Sequence, residues 1–353
     1  MIHVTGYAAL SSTEPLSSFD FERKEPGDGD VLIDILYCGI CHADIHQSKN
    51  EYGRTLYPLV PGHEIVGRIK ALGAHVSRFK INDLVGVGYF IDSCKHCSSC
   101  VEGEEQYCEN GITPTQNGLL SDGTVTKGGY SDCIIVNEHY VLKVAETLRA
   151  EEVAPLLCAG ITAYSPLKHW KIGKGHRVAI LGLGGVGHMA VRFAAAFGAD
   201  VTVISTTPKK KASAALLGAT NFIVNTDMET MKRHTSSFDF IINTVSAKHD
   251  YNVYLNMLKK DGTMVLLGVP PDGPQLAAHP LISKRRNIAG SFTGGIKETQ
   301  EMLDYCAINN ITAIVEVIKP QYINEAFERT LNGDVRYRFV IDMTELKNNI
   351  KNQ

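Results

Sequence analysis

The segment "HRVAILGLGGVGHMAVRFAAAFGADVTVIS", residues 176–205, constrains the fold of this 353-residue chain more than any other. An apolar run leads into a glycine turn, a helical stretch to about Phe197 and a second β-branched run. A dinucleotide-binding Gly-x-Gly-x-x-Gly turn requires this order, because its glycines let the backbone approach a pyrophosphate at the positive end of the helix. A glycine-rich turn in an unrelated α/β domain is the alternative.

The remaining apolar runs extend the same alternation. "NFIVN", "FDFIINTV", "GTMVLLGV" and "NIAGSF" indicate strands, with "KKKASAALLGA" and "YNVYLNMLKK" as intervening helices. Six strands between Val178 and about Phe292 predict a doubly wound parallel sheet and an α/β fold class. The N-terminal part has short strands, many glycines and little helical periodicity, which predicts an antiparallel or barrel-like domain. The late run "YRFVIDM" has no room in the nucleotide sheet and is assigned to that first domain.

The end of the second strand indicates which dinucleotide is used. An acidic residue there would bind a ribose 2′-hydroxyl and repel a 2′-phosphate. This chain instead has Ser205, followed by Thr206, Thr207 and the lysines at 209–211. Hydroxyls and ammonium groups suit a phosphate dianion, so the sequence favours NADP over NAD. The alternative is that the lysines only begin a solvated helix.

Four of the nine cysteines lie in "DSCKHCSSCVEGEEQYC", residues 92–108, with the spacing C-x2-C-x2-C-x7-C. This spacing lets four thiolates converge on one ion in a closed tetrahedral shell, which predicts a structural zinc. An iron–sulfur cluster and a redox-active or disulfide-bonded loop are the alternatives. An odd number of cysteines and an N terminus without a cationic signal region favour metal binding in a reducing cytoplasm. The predicted ligands are Cys94, Cys97, Cys100 and Cys108.

A second set of possible metal ligands is dispersed along the chain. "CGICHADIHQ" contributes Cys41, "PGHE" contributes His63 and "PLLCAG" contributes Cys158. Three protein ligands leave one coordination position open, as a catalytic zinc needs. Asp44 is expected to accept the free ring N–H of His63. The remaining cysteines lie in apolar or strand-like runs and are expected to be buried packing thiols: Cys38, Cys133 and Cys306.

Charge and hydropathy exclude two classes of partner. The net charge is −3 and no long basic block is present, so neither nucleic acid nor an anionic membrane surface is expected as a partner. The most apolar stretch, residues 178–204, is interrupted by glycines, His188, Arg192 and Asp200. It therefore does not indicate a membrane span.

These motifs together resemble a known family. Cys41, "GHE", the four-cysteine loop, Cys158, "GLGGVG" and "GDVRYRFVID" occur in the order and spacing of the zinc-dependent medium-chain dehydrogenase/reductase superfamily, along essentially the whole chain. "CGICHADIH", "PLLCAGITAYSPL", "STTPKKK" and "GGIKETQEML" are similar to its NADP-dependent cinnamyl alcohol dehydrogenase branch. The resemblance implies a mostly-β GroES-like catalytic domain at 1–157 and 295–353, a Rossmann NADP-binding domain at 158–294, two zinc ions per chain and usually a homodimer.

The resemblance also implies roles for individual residues. Glu64 would be an alternate neighbour of the catalytic zinc, and His46 would be the outer member of a proton relay. The implied cofactor contacts are His42, Thr162, Gly182, Leu183, Gly184, Gly185, Val186, Gly187, Ser205, Thr206, Thr207, Lys210, Thr244, Gly268, Ser291, Phe292 and Thr293. The implied reaction is hydride transfer between NADP(H) and a small aldehyde or primary alcohol at the zinc, mainly as aldehyde reduction.

Two positions depart from the family pattern. Ala43 stands where the family has a Ser or Thr whose hydroxyl begins the relay. Either a water replaces that hydroxyl, or the enzyme is slow, or the residue has been substituted; a catalytically weakened NADPH-binding protein of the same fold is the alternative function. Thr113 stands where plant members have a Trp that stacks on the substrate ring, which disfavours cinnamyl substrates. A polyol dehydrogenase is a further alternative, but such an enzyme is expected to have an acidic residue at the position of Ser205.

Overall fold

The computed structural model describes residues 1–270, 273 and 275–346. The chain divides into two compact units, one formed by residues 1–161 and 293–353 and the other by residues 162–292. The sequence-based boundaries lie at 157/158 and 294/295. Among the described residues, no helix combines the length and apolarity that crossing a bilayer would require. The predicted fold class, a mostly-β unit with a parallel-sheet α/β unit, is confirmed.

The first unit is built around a seven-stranded sheet in which most neighbouring strands are antiparallel. Five strands follow in the order β16-β17-β3-β4-β5, with β9 beyond β5 and β8 paired to β3. Val31, Ile33 and Ile35 of β3 are completely buried in its core. The strands are β1 (Ile2–Ala8), β2 (Ser17–Arg23), β3 (Asp30–Gly39), β4 (Ile65–Leu72), β5 (Leu84–Val87), β6 (Phe90–Asp92), β7 (Thr113–Pro114), β8 (Cys133–Asn137), β9 (Leu142–Lys143), β16 (Val315–Ile318) and β17 (Arg338–Asp342). The helices are α1 (His42–Ser48), α2 (Ser98–Glu102), α3 (Ala150–Val153), α10 (Ile296–Asn309) and α11 (Ile323–Leu331), and α4 (Ala159–His169) crosses into the second unit.

Strand pairing in this sheet brings three distant segments together. β3 ends two residues before Cys41, and its antiparallel neighbour β4 begins immediately after Glu64. The C-terminal strand β17 pairs antiparallel with the end of β3, with Val340 opposite Gly39. The prediction that "YRFVIDM" returns to the first domain is therefore confirmed. The ends of three central strands define one locus, where the dispersed Cys and His residues can meet.

The second unit is a six-stranded parallel sheet with the strand order β12-β11-β10-β13-β14-β15. All its neighbouring pairs are parallel, as the alternation of apolar runs predicts. Its strands are β10 (Arg177–Leu181), β11 (Asp200–Ser205), β12 (Asn221–Val224), β13 (Phe238–Asn243), β14 (Leu258–Leu266) and β15 (Asn287–Gly290). Its helices are α5 (Gly185–Ala196), α6 (Lys211–Leu216), α7 (Met228–Arg233), α8 (Tyr251–Leu255) and α9 (Ala278–Ile282).

One predicted helix was too long at its C-terminal end. The run "YNVYLNMLKK" was expected to be helical throughout, but α8 stops at Leu255 and β14 begins at Leu258. Leu258 is completely buried and lies opposite Phe238 of β13, before the register shifts at a bulge. Pairing and burial at the sheet therefore override the helical periodicity of the run.

Candidate functional site

The four-cysteine loop forms a compact cluster in the first unit. The four Sγ atoms of the predicted ligands all lie within 4.8 Å of one another. The Cys94 and Cys100 sulfurs are 3.8 Å apart, and those of Cys97 and Cys108 are 4.0 Å apart. A disulfide would require about 2.05 Å, and all four thiols are free. The donor set fits a closed tetrahedral metal shell.

Backbone amides around this loop point at its sulfurs. The N–H of Cys97 donates to Cys94 Sγ at 3.3 Å, and the N–H of Cys94 donates to Cys108 Sγ at 3.4 Å. Backbone donors, first that of His96, lower the pKa of the Cys94 thiol to about 5. These dipoles favour thiolates, the form in which cysteine binds a metal.

A second cluster lies at the ends of the central strands. One ligand atom from each of Cys41, His63, Glu64 and Cys158 lies within 4.8 Å of the others. The two sulfurs are 4.0 Å apart, and the hydrogen bond from Cys158 holds the pKa of Cys41 well below its ordinary value. The buried Nε2 of His63 has no hydrogen-bond partner among the described residues. Two sulfurs and an imidazole nitrogen with a free electron pair are the donors expected of an open zinc site, so the residues fit the ion.

Asp44 holds two of these residues in place. Its side chain is completely buried, with Oδ1 3.0 Å from Nδ1 of His63 and Oδ2 accepting the backbone N–H of Cys41 at 2.7 Å. Tyr130 donates its hydroxyl to the same carboxylate at 3.2 Å. A carboxylate beside Nδ1 keeps the proton on that nitrogen and leaves Nε2 free for a metal. The sequence predicted the contact with His63 but gave no indication of Tyr130.

Arg338 is the residue of this cluster that the sequence analysis missed. Its fully buried guanidinium lies 3.2 Å from Glu64 Oε1 and donates to the Ile40 carbonyl at 3.2 Å and to Cys41 Sγ at 3.7 Å. Burial raises the pKa of Glu64 to about 8, although Arg338 acts to lower it. Gly39 is essential to this packing, since a Cβ there would overlap the Glu64 carboxylate. The one signal in the sequence was a charged residue inside the apolar run "YRFVIDM".

The helix that follows Cys41 carries the predicted relay residues. Ala43 and Asp44 lie in the first turn of α1, and His46 lies in its last turn with Nδ1 against Glu51 Oε2. Thr113 lies in β7, and its hydroxyl donates to the Leu119 carbonyl at 3.2 Å. His46 therefore lies on the helix that directly follows Cys41. The Thr113 hydroxyl is hydrogen-bonded within its own loop.

Comparison with known proteins agrees with this geometry. Residues 27–146 match the alcohol dehydrogenase GroES-like domain, and residues 185–307 match the zinc-binding dehydrogenase domain. The chain is 51% identical to NADP-dependent alcohol dehydrogenase C of Mycobacterium bovis, over 98% of this chain and 100% of that protein. It is 49% identical to an aldehyde reductase of Escherichia coli K12, over 96% and 98%. A cinnamyl alcohol dehydrogenase structure from Sorghum bicolor matches with a TM-score of 0.94 at 44% identity, covering 97% of this chain and 98% of that one.

The chain belongs to the zinc-binding alcohol dehydrogenase family. The resemblance that the motifs indicate is therefore confirmed. The three cysteines predicted to be packing thiols, Cys38, Cys133 and Cys306, are all buried.

In this alcohol dehydrogenase, the glycine turn has the geometry that a dinucleotide needs. Gly182 follows β10 with φ +90°, a conformation that side chains rarely adopt. A Cβ at Gly187 would overlap the Gly182 carbonyl, so glycine is required where α5 packs against the turn. Gly184 caps α5, and a Cβ there would meet nothing within 4 Å. The turn therefore leaves open space at the positive end of a twelve-residue helix.

The residues predicted to select the 2′-phosphate lie at the next strand end. Ser205 is the last residue of β11 and is buried, whereas Thr206 and Lys209 are exposed. Lys210 donates its ammonium group to the Leu183 carbonyl of the glycine turn at 2.9 Å. Thr244 donates its hydroxyl to the Leu181 carbonyl at 2.9 Å. The structure thus brings the end of β11 into contact with the glycine turn inside the second unit.

The other predicted cofactor residues are divided between the units. His42 is exposed on α1 and Thr293 is buried, and both belong to the first unit. The remaining ones belong to the second unit: Thr162, Leu183, Gly185, Val186, Thr207, Gly268, Ser291 and Phe292. Their contacts with a cofactor stay predictions.

Proposed function

We propose that this protein is a zinc- and NADP(H)-dependent alcohol dehydrogenase that acts mainly as an aldehyde reductase. The observation that carries the proposal is the convergence of Cys41, His63 and Cys158 at one buried locus. Three such ligands leave a coordination position for substrate. Bound there, zinc supplies Lewis-acid polarisation of the substrate oxygen, and NADPH supplies the hydride.

The chain's own residues have positioning and electrostatic tasks. Asp44 fixes the His63 ring and the Cys41 backbone, so both donors face the same point. Arg338 supplies a buried positive charge beside Glu64 and Cys41 Sγ, which favours the ionised form of both groups. Glu64 completes the donor set as an alternate neighbour of the ion. The four-cysteine loop, with no fifth donor, would hold the second, structural zinc.

NADP(H) is supported by the end of β11. Ser205, Thr206 and Lys210 supply hydroxyls and an ammonium group where an NAD-selective chain would place a carboxylate. Two relatives point the same way: the Mycobacterium bovis protein is named NADP-dependent, and the Escherichia coli protein is named an aldehyde reductase. We further propose a homodimer in a reducing cytoplasm, where nine free cysteines are stable.

A panel of aldehydes tested with NADPH and NADH is the direct experiment. We expect NADPH oxidation with several small aldehydes, slower turnover with NADH, and two zinc atoms per chain. In Ser205→Asp, we expect the preference to shift towards NADH by roughly one to two decades, because a charge-assisted bond of about 1.5–3 kcal/mol is lost and a repulsion is added. Equal use of both cofactors by the parent protein would contradict the NADP assignment.

The second candidate function is a catalytically weakened NADPH-binding protein, which the absence of a hydroxyl at Ala43 favours. Two zinc atoms and tight NADPH binding without turnover of any aldehyde in the panel would support it. Turnover of even one aldehyde at an ordinary rate, about 1 s⁻¹ or more, would exclude it.

A further inference from the structure

The imidazole of His46 uses only one of its two ring nitrogens in hydrogen bonds to described residues. Nδ1 contacts Glu51 Oε2 at 2.5 Å, and the ring is 28% exposed. A carboxylate at Nδ1 keeps the proton there, so Nε2 carries the free electron pair of a proton acceptor. No hydrogen bond occupies Nε2 within the part of the chain that the structure describes. His46 therefore needs a donor that links it to the substrate oxygen.

Tyr52 is the hydroxyl-bearing residue beside this ring. Its ring centroid lies 5.8 Å from that of His46 at an interplanar angle of 55°, and the residue is 55% exposed. Its hydroxyl makes no hydrogen bond to any described residue. Rotation of the exposed side chain, or one bridging water, closes the distance to Nε2. Ala43, on the same helix as His46, has no polar side-chain atom to fill that role.

The surroundings keep Tyr52 as a neutral hydroxyl. The ionisable groups that act on it are the adjacent His46 and the nearby Cys41, Tyr89, Asp44 and Glu51. Partial burial, and then the negative charge of Cys41, raise the pKa of Tyr52 to about 12. A group that stays protonated at neutral pH passes a proton on by accepting one while it donates its own, without becoming charged for long. The rings of Tyr52, His46 and His42 follow one another at centroid distances of 5.8 and 6.1 Å, and His42 directly follows the metal ligand Cys41.

We propose that Tyr52 supplies the relay hydroxyl that Ala43 lacks and connects the substrate oxygen to His46; this inference rests on the proposed function. In alcohol oxidation, the alcohol O–H proton passes to Tyr52 Oη, and the Tyr52 proton passes to Nε2 of His46. The Nδ1 proton of His46 then leaves through Glu51 to solvent. Aldehyde reduction runs the same chain backwards and returns one proton to the product oxygen. No net charge accumulates on Tyr52.

The test compares five proteins in alcohol oxidation with NADP⁺ between about pH 6 and 9. They are the parent, Tyr52→Phe, Ala43→Ser, the double variant, and Tyr322→Phe as a control that removes an equally exposed phenol elsewhere in the first unit. Zinc content is measured for each. Tyr52→Phe should lower kcat near pH 7 by roughly 10- to 100-fold, the lower part of the usual range for positioned proton transfer because water carries some of the flux. The loss should shrink at high pH, where hydroxide removes the alcohol proton.

The rescue decides between a relay and a packing role. Ala43→Ser in the Tyr52→Phe background should recover most of the lost turnover, while Ala43→Ser alone should change the parent by less than about threefold. Glu51→Gln should also shift the pH profile, since it removes the carboxylate that orients His46. Unchanged kcat in Tyr52→Phe overturns the proposal, as does a loss that Ala43→Ser fails to rescue. A parent with two zinc atoms and no turnover would instead refute the proposed function, and the relay with it.

Discussion

The four-cysteine loop draws all its donors from residues 94–108, whereas the second site joins Cys41 and Cys158 across 117 positions. The loop's sulfurs are served by its own backbone amides, and two of its cysteines are only half-buried. The second site needs a buried Asp44 and a buried contact between Arg338 and Glu64. One site can form with its local segment, and the other forms only when the sheet has formed.

Because of this difference, the two sites contribute differently to stability and to activity. A closed shell of four thiolates adds its metal-binding free energy to folding and offers no place for substrate. The open site buries charged groups, and the rest of the fold must offset the free energy that this burial costs. We therefore expect damage to the loop to reduce stability most, and damage to the second site to reduce activity most.

The largest expected effect is on activity. Cys158→Ser should lower aldehyde reduction by more than about 100-fold, since removing even an outer support of a metal site costs about 10–100-fold. Cys306→Ala removes a buried thiol that lies outside both clusters, and it should leave kcat within a few-fold of the parent. Steady-state kinetics with one good aldehyde measures both. Retained activity in Cys158→Ser would remove this residue from the site.

The next effect is on stability. Cys97→Ser should lose one zinc per chain and lower the Tm by at least about 5 °C, because the loop loses the ion that closes it. Cys158→Ser should lower the Tm by less. Metal analysis and calorimetry on both variants make the comparison. Equal losses of Tm would show that the two sites do not differ in their contribution to folding.

The buried contact between Arg338 and Glu64 offers a third test. Arg338→Met should lower the free energy of unfolding by about 1–3 kcal/mol, because the buried Glu64 carboxyl group and the Ile40 carbonyl lose their donor. Arg285→Met removes an exposed guanidinium paired with Asp261, and we expect almost no change in stability. Denaturant unfolding at neutral pH measures both. A loss no larger in Arg338→Met than in Arg285→Met would contradict a stabilising role for the buried guanidinium.

The smallest expected effect comes from Glu105, which attaches the segment of the four-cysteine loop to the start of α10. Glu105, 4% exposed, accepts the N–H of Ile296 at 3.0 Å and contacts His139 Nε2 at 3.1 Å. Burial raises the pKa of Glu105, but the hydrogen bonds from His139 and Ile296 lower it more, to below its ordinary value of 4.5. Glu105→Gln should cost about 1–2 kcal/mol at pH 7.

The sign of the pH dependence follows from that lowered pKa. The carboxylate stabilises the folded chain above pH 4.5, and this contribution is lost as the pH falls through the depressed value. The stability difference between parent and Glu105→Gln should therefore shrink below about pH 4.5. Unfolding curves at several pH values measure it, and a difference that stays constant down to pH 3 would be the contrary result.

Local motifs allowed most of the fold to be predicted. The glycine turn and the cysteine loop each lie within one short stretch, so their residue order and spacing alone identified them. The helix "YNVYLNMLKK" was overextended because pairing of Leu258 with β13 depends on the folded sheet. The second site was predicted only in part. Arg338 reaches Cys41 across 297 positions, and no local pattern indicates such a contact.

X-ray absorption at the zinc edge of the purified protein counts the sulfur ligands at the two predicted zinc sites. Two zinc sites, one with four sulfurs and one with two sulfurs and an imidazole, predict two zinc atoms per chain. Their averaged spectrum should show about three sulfur neighbours near 2.3 Å and one nitrogen or oxygen neighbour near 2.0 Å per zinc. In Cys97→Ser, the average should fall to about two sulfurs as the loop loses its ion. One zinc per chain with four sulfurs in the parent would contradict the account.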